Sequence, residues 1–153
     1  MASGGCATGS QLAAAIALGA EGMNMGTRFM ATKEAPIHQN VKDAIVKGGV
    51  DSTRLVMRTM RNTERVYANK SAEEVLKIEK EFPGDFSKVK HLVSGAVYKK
   101  VFHETGNVDE GIWSAGICMG LIDSVPTCDE LMETIVQDAA KIIRGRLAQS
   151  VVA

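Results

Sequence analysis

Two glycine turns near the start of the chain, Gly4-Gly5 and Gly26-Thr27, have the residue types and spacing to bind an anion. A glycine lets an oxyanion approach the backbone with no Cβ in the way. Amides at a helix N-terminus carry partial positive charge. Either pair alone reads equally well as a tight turn. If each follows the end of one of two adjacent parallel strands, they converge on one point and form a cradle for a phosphate. Six of the fifteen glycines fall between Met1 and Phe29, clustered at turns rather than scattered.

Other reactive residues are sparse. Cys6, Cys118 and Cys128 are an odd set with no C-x-x-C, which excludes a disulfide framework, gives no zinc signature and reads as buried thiols. His38, His91 and His103 pair with no Cys, Asp or second His at a ligand spacing, so no metal site is expected. His38 reads as a first-turn surface residue, and His91, beside Lys88 and Lys90, as part of a solvated face. Asp109 and Glu110 are sequence neighbours, which do not face each other on a helix, and suit a first turn. Arg28 can approach the phosphate or pair with Glu34 or another carboxylate. Arg54, Arg58 and Arg61 read as a solvated strand face. No residue is assigned as a catalytic acid or base.

The elements that must position the glycine turns follow from local pattern. Met1 to Ser3 is a strand stub turned by Gly4-Gly5. Thr8, Gly9 or Ser10 can cap a helix over Gln11 to Leu18, stopped by Gly19. Gly22 to Met25 is a short buried strand. His38 to Lys47 is helical and ends at Gly48-Gly49. Ser52 to Arg58 alternates, with Leu55 and Met57 on one face and Arg54, Val56 and Arg58 on the other, and Arg61 to Tyr67 can pair with it. Ser71-Ala-Glu-Glu74 has capping-box spacing, and Pro83-Gly84 breaks the helix that follows. Val89 to Glu104 reads as one helix. Trp113 to Ile122, "WSAGICMGLI", is a short segment of small residues. Thr127 caps a last helix with an apolar stripe of Leu131, Ile135, Ala139, Ile142 and Ile143.

The chain has 153 residues, 45% hydrophobic and 24% charged, an ordinary globular composition for one core. Zero formal net charge and 5% aromatics argue against nucleic-acid binding. No apolar run reaches the roughly 20 residues of a membrane span, and no positive region precedes the first apolar stretch as in a signal peptide. The expectation is a cytoplasmic chain without a membrane anchor. Strand, helix, strand implies parallel strands with a right-handed crossover.

The segment "SGGCATGSQLAAAIALGAEGMNMGTRFMATKEAPIHQNVK" resembles the C-terminal FMN-binding part of the nitronate monooxygenases, formerly 2-nitropropane dioxygenases, and of the related flavin enoyl-ACP reductases. The resemblance rests on Gly4-Gly5, Ala17-Leu18-Gly19-Ala20 and Met25-Gly26-Thr27-Arg28-Phe29, and "WSAGICMGLI" is similar to the family's Ala-Gly-Gln-x-x-Gly-Leu segment. It implies an α/β fold: the strand 7–8 region of a TIM (β/α)8 barrel with a mostly helical C-terminal extension. Residues 1–50 would be the last βα units and 51–153 a helical lid of the same domain. It implies FMN as cofactor, with its phosphate held by Gly4, Gly5, Gly26 and Thr27, and oxidation of an alkyl nitronate by O2. The alternatives are an enoyl-ACP reductase and a non-catalytic fragment that binds phosphate or FMN.

Two departures matter. Ile117 stands where many relatives carry glutamine, which removes a polar contact to flavin or substrate. The family's proposed catalytic histidine lies in a Gly-Gly-His segment, and none occurs here. A whole barrel takes about 250 residues, so strands one to six are expected upstream. Two parallel strands alone leave apolar surface and unpaired edges, which predicts association with further copies or a completing chain.

Overall fold

In a computed structural model, which describes residues 1–151, β1 (Ala2–Ser3) and β2 (Met23–Asn24) pair in parallel, Ala2 opposite Met23 and Ser3 opposite Asn24. Helix α1 (Gly9–Ala17) is the crossover between them. Thr8 is its cap: its hydroxyl accepts from the Gln11 amide, and the Gln11 side chain reaches back to the Thr8 amide. This reciprocal pairing satisfies first-turn donors that no i−4 carbonyl can reach. Gly19, at φ +92°, closes the helix in a conformation that L side chains rarely adopt.

A four-residue helix, α2 (Thr27–Met30), follows β2, and α3 (Gln39–Lys47) follows that. His38 is the cap of α3 rather than a first-turn residue. Its Nδ1 accepts from the Asn40 amide, and its ring packs under Gly106, where a Cβ would lie 2.1 Å from Nδ1. Strands β3 (Thr53–Val56) and β4 (Glu64–Tyr67) form an antiparallel pair, and residues 113–115 lie along β4 through Tyr67 N–Trp113 O and Ala115 N–Arg65 O. Helices α4 (Lys70–Glu81), α5 (Phe86–Val93) and α6 (Gly95–Lys100) lead to a π-helical turn at Val101–Thr105. A 3₁₀ turn at Ile117–Leu121 precedes α7 (Cys128–Ile142), which ends in a π-helical turn over Ile143–Leu147.

One apolar cluster draws Ala31, Val41 and Ile45 from the first third of the chain onto Phe102, Trp113 and Met119. Tyr67 stacks on Trp113 at 4.6 Å and Phe102 meets Trp113 edge-on at 6.0 Å. Offset and edge contacts of this kind suit the ring quadrupoles, and Trp113 Nε1 donates to the Val108 carbonyl, so its polar end is not stranded. A second cluster gathers Val56, Val66, Val75 and Val89 under β3 and β4.

Tertiary contacts overrode local pattern in several places. The helix predicted from Val89 to Glu104 breaks at Ser94, which is extended at ψ 145°. The break makes room for Gly111, whose missing Cβ would fall 2.3 Å from a Val97 methyl. Asn69, not Ser71, caps α4. The Ser71 hydroxyl donates to the Asp109 carbonyl and accepts from the Gly111 amide, which fixes the 109–111 loop instead.

The face assignment of β3 also differs from the alternating pattern. Val56, expected beside the arginines, is fully buried. Met57 takes a left-handed φ of +57° and turns inward as well, so the alternation ends there. Buried Glu79 holds this turn, accepting from the Met57 amide at 2.6 Å and from the amide and hydroxyl of Thr59. Glu79→Ala leaves the buried Met57 donor without an acceptor, and the expected loss is about 1–3 kcal/mol. A urea unfolding midpoint unchanged from the parent chain counts against this role of Glu79.

Candidate functional site

Register brings the two glycine turns together. Ser3 and Asn24 are directly opposed and joined by an Asn24 Nδ2–Ser3 Oγ hydrogen bond, so Gly4-Gly5 and Gly26-Thr27 leave neighbouring strand ends side by side. Gly4 and Gly5 sit at φ +90° and +70°, which makes glycine the residue of choice at both. Space is open where a Cβ would stand at Gly4 and at Gly26. Among the described residues neither the Gly5 nor the Gly26 amide donates to a protein acceptor.

The end of α1 is less available than its sequence implies. Gln11 Oε1 accepts from the amides of Ala7 and Thr8, and Gln11 Nε2 donates to the Gly5 carbonyl at 2.8 Å. Gln11 thus fixes the loop between Gly5 and the helix and takes up donors an anion could have used. The open donors lie at the glycine turns themselves. The Thr8-x-x-Gln11 capping-box spacing was the signal that could have revealed this loop clamp.

A third segment completes the arrangement. The Gly116 amide donates to Thr27 Oγ1 at 2.8 Å, and an Ile117 methyl lies 3.5 Å from where a Gly5 Cβ would stand. In sequence the segment was marked by its resemblance to the family's Ala-Gly-Gln-x-x-Gly-Leu pattern, but its contact with the glycine turns was not. Beside Gly116 and Ile117 lies Cys118, whose thiol pKa is pushed up by burial. Cys6 and Cys128 are partly exposed rather than buried as expected. Ser114 Oγ donates to the Glu64 carboxylate just before this segment.

Arg28 does not pair with Glu34. Its guanidinium is 4% exposed and Nη2 donates to the carbonyls of Ala31 and Ser124, so it fastens α2 to the loop before α7. Burial lowers its pKa, and the nearby Asp123 carboxylate opposes that shift. Glu34 instead accepts from the Cys128 amide at the start of α7, with both oxygens within 3.0 Å. Arg58 and Arg61 are exposed as a solvated face would be, whereas Arg54 is half-buried against Glu73.

The sequence matches the family described as nitronate monooxygenase over residues 1–138. The chain belongs to the nitronate monooxygenase family. The structure superposes on FabK from Thermotoga maritima with a TM-score of 0.88 at 29% identity, over 97% of this chain and 46% of that one. The chain is 27% identical, over 94% of its length and 50% of the relative's, to (3aS,4S,5R,7aS)-5-hydroxy-7a-methyl-1-oxo-octahydro-1H-indene-4-carboxyl-CoA dehydrogenase of Rhodococcus jostii. A stretch covering 39% of the chain is 42% identical to nitronate monooxygenase npaC of Metarhizium robertsii, of which it spans 16%. The chain therefore spans about half the length of the relatives it matches most fully. The fold is part of a family TIM barrel, and the family is one of flavin oxidoreductases.

Among the described residues no three His, Cys, Asp or Glu side chains gather into a metal cluster, and no helix is long and apolar enough to cross a membrane. The carboxylates at the start of α7 set an acid limit on the fold. Hydrogen bonds from the Cys128 amide hold Glu34 below its ordinary pKa of 4.5, and bonds from Thr127 do the same for Glu130. A depressed folded-state pKa stabilises above the unfolded value, and that contribution is lost as pH falls through the folded one. The expected outcome is a melting temperature that drops as pH goes below 4.5, with a shallower drop in Glu34→Gln. Identical pH profiles for the two proteins rule out this role of Glu34.

Proposed function

We propose that this chain supplies the phosphate-binding half of an FMN-dependent oxidoreductase. The observation that carries the reading is the convergence of Gly4-Gly5, Gly26-Thr27 and Gly116-Ile117 on one point, with open space at the lips. Gly4, Gly5, Gly26 and Thr27 would hold the phosphate. The Gly5 and Gly26 amides are unspent donors. Thr27 Oγ1 already accepts from Gly116, so its own proton is left to donate to a phosphate oxygen. Ile117 covers the Gly5 side and keeps water from competing there.

Bound FMN would accept electrons from the substrate and deliver them to oxygen. The protein's part is orientation and exclusion of water. The substrate we propose is an alkyl nitronate, as for the family's named activity. FabK is the structural neighbour that covers 97% of the chain, and it favours a second reading in which the substrate is an enoyl thioester and a nicotinamide nucleotide supplies the electrons. No residue of this chain is offered as the catalytic base. Cytoplasmic location remains part of the proposal, as does a partner surface: Met1, next to β1, and Leu18, at the end of α1, are both 88% exposed and would sit against a completing chain or a second copy.

The test is a fluorescence titration of the chain with FMN, followed by oxygen uptake with a nitronate and, separately, NADH oxidation with an enoyl thioester. Gly26→Val is the informative variant, because φ at Gly26 is −103° and nothing lies within 4 Å of the added Cβ, so the fold is kept while the cradle is filled. Thr27→Val removes one donor and the acceptor for Gly116. Each is expected to weaken FMN binding at least about tenfold, the equivalent of one lost hydrogen bond to a charged group. FMN binding by Gly26→Val as tight as by the parent sinks the reading.

A further inference from the structure

The cap of α3 is a histidine lone pair. His38 Nδ1 accepts from the Asn40 amide at 3.1 Å, so the ring carries no proton there. The half-buried ring lies flush against Gly106, which closes the Val101–Thr105 turn at a left-handed φ of +60°. A Cβ at position 106 would strike the ring. Two further bonds join the same two segments. The His38 amide donates to the Phe102 carbonyl at 2.7 Å, and Asn40 Nδ2 donates to the Gly106 carbonyl at 3.2 Å. Beside this contact a cavity of about 460 Å³ opens between α3 and residues 106–108.

Protonation turns this contact from attractive to repulsive. An imidazolium has an N–H at both ring nitrogens and offers the Asn40 amide no acceptor. It also places a positive charge at the positive end of α3. Among the described residues no carboxylate stands within salt-bridge distance of the ring. The charged groups of the surrounding elements are engaged elsewhere or exposed. Asp43 on α3 accepts from Gln39, and buried Lys42 donates to the Lys33 carbonyl. In the preceding loop Lys33 pairs with Glu130, and Glu34 accepts from the Cys128 amide. On the turn itself His103 and Glu104 are exposed, and beyond it Asp109 and Glu110 are held by Lys70 and Lys100.

We propose that His38 is an acid-sensitive latch between α3 and the Gly106 turn. The closed form needs Nδ1 unprotonated, so it is fully present above the histidine range and lost as pH falls through it. Histidine ordinarily changes charge between about pH 5 and 8. This window lies above the carboxylate losses at Glu34 and Glu130. Opening frees residues 106–108 from α3 and widens the cavity between them. The movement is passed on toward the core, because the Val108 carbonyl accepts from both Asn69 Nδ2 and Trp113 Nε1. The latch is independent of the flavin reading, since it uses none of Gly4, Gly5, Gly26 or Thr27.

The test is a titration of the full chain from about pH 8 to about pH 5, followed by NMR at the His38 ring and at the Asn40 and Gly106 amides. The expected result is one shared transition. As the ring gains its proton, the Asn40 amide signal shifts. Opening at the Gly106 amide, read from hydrogen exchange against the intrinsic rate at each pH, rises about fivefold, the ratio that one helix cap corresponds to. His38→Asn keeps a capping side chain that has no proton to gain, and it is expected to lose the transition at both amides. His103→Gln, in the turn itself, is expected to keep it. A transition that survives in His38→Asn, or that vanishes in His103→Gln, overturns the proposal. So does a neutral ring that carries its proton on Nδ1, seen in the ring-nitrogen shifts of the parent at about pH 8, and that measurement needs no variant.

Discussion

A single hydroxyl holds the three parts of the site in place. Thr27 Oγ1 accepts the Gly116 amide across 89 residues of sequence, and Thr27 is buried where that bond forms. Without it the 114–117 segment would have no polar tie to the glycine turns. Two two-residue strands pair too briefly to fix a site by themselves. Their geometry is set by what packs around them: α1 and α7 through Gly9, the Arg28 guanidinium on the Ser124 carbonyl, and the 3₁₀ turn carried by Gly116. A part-buried amide bonded to a buried threonine oxygen resists separation, so this one contact is a constraint on the site.

The aromatic and apolar core explains why the third segment arrives there at all. Trp113 lies between Tyr67 and Phe102, and its backbone runs along β4. Once Trp113 is seated, Ser114 and Ala115 continue the strand pairing and Gly116 falls beside Thr27. The site's third wall is therefore positioned by a tryptophan three residues away in the core. Asn69 contributes from the other side. Its side chain caps α4 and donates to the carbonyls of Val108 and Gly111, which fixes the loop leading into Trp113. Core and site here are one connected arrangement, as expected where irregular backbone is held by a few saturated polar groups.

Some local expectations failed for a common reason: a side chain found a better partner far away in sequence. Ser71 had the spacing for a capping box, but its hydroxyl is used on the 109–111 loop. Val56 stood among arginines in an alternating pattern, but a left-handed residue next to it ended the alternation. Arg28 and Glu34, six residues apart and of opposite charge, each found backbone partners instead of one another. Local spacing reports which bonds are possible, and long-range packing selects among them.

The sequence by itself determined the parallel strand–helix–strand opening, the two glycine turns, the Gly19 stop and the family. These rest on residues whose conformational limits act locally: glycine where φ is positive, a threonine cap with glutamine three residues on, and small residues in one helix. It also determined which reactive residues are present, since no Gly-Gly-His segment occurs. Only the tertiary structure decided that Gln11 takes up the amides just before α1, that Gly116 and Ile117 close the glycine turns, and that Arg28 is buried on two backbone carbonyls. Each of those depends on contacts between residues distant in sequence or on the direction of one side chain, and neither periodicity nor spacing carries that information.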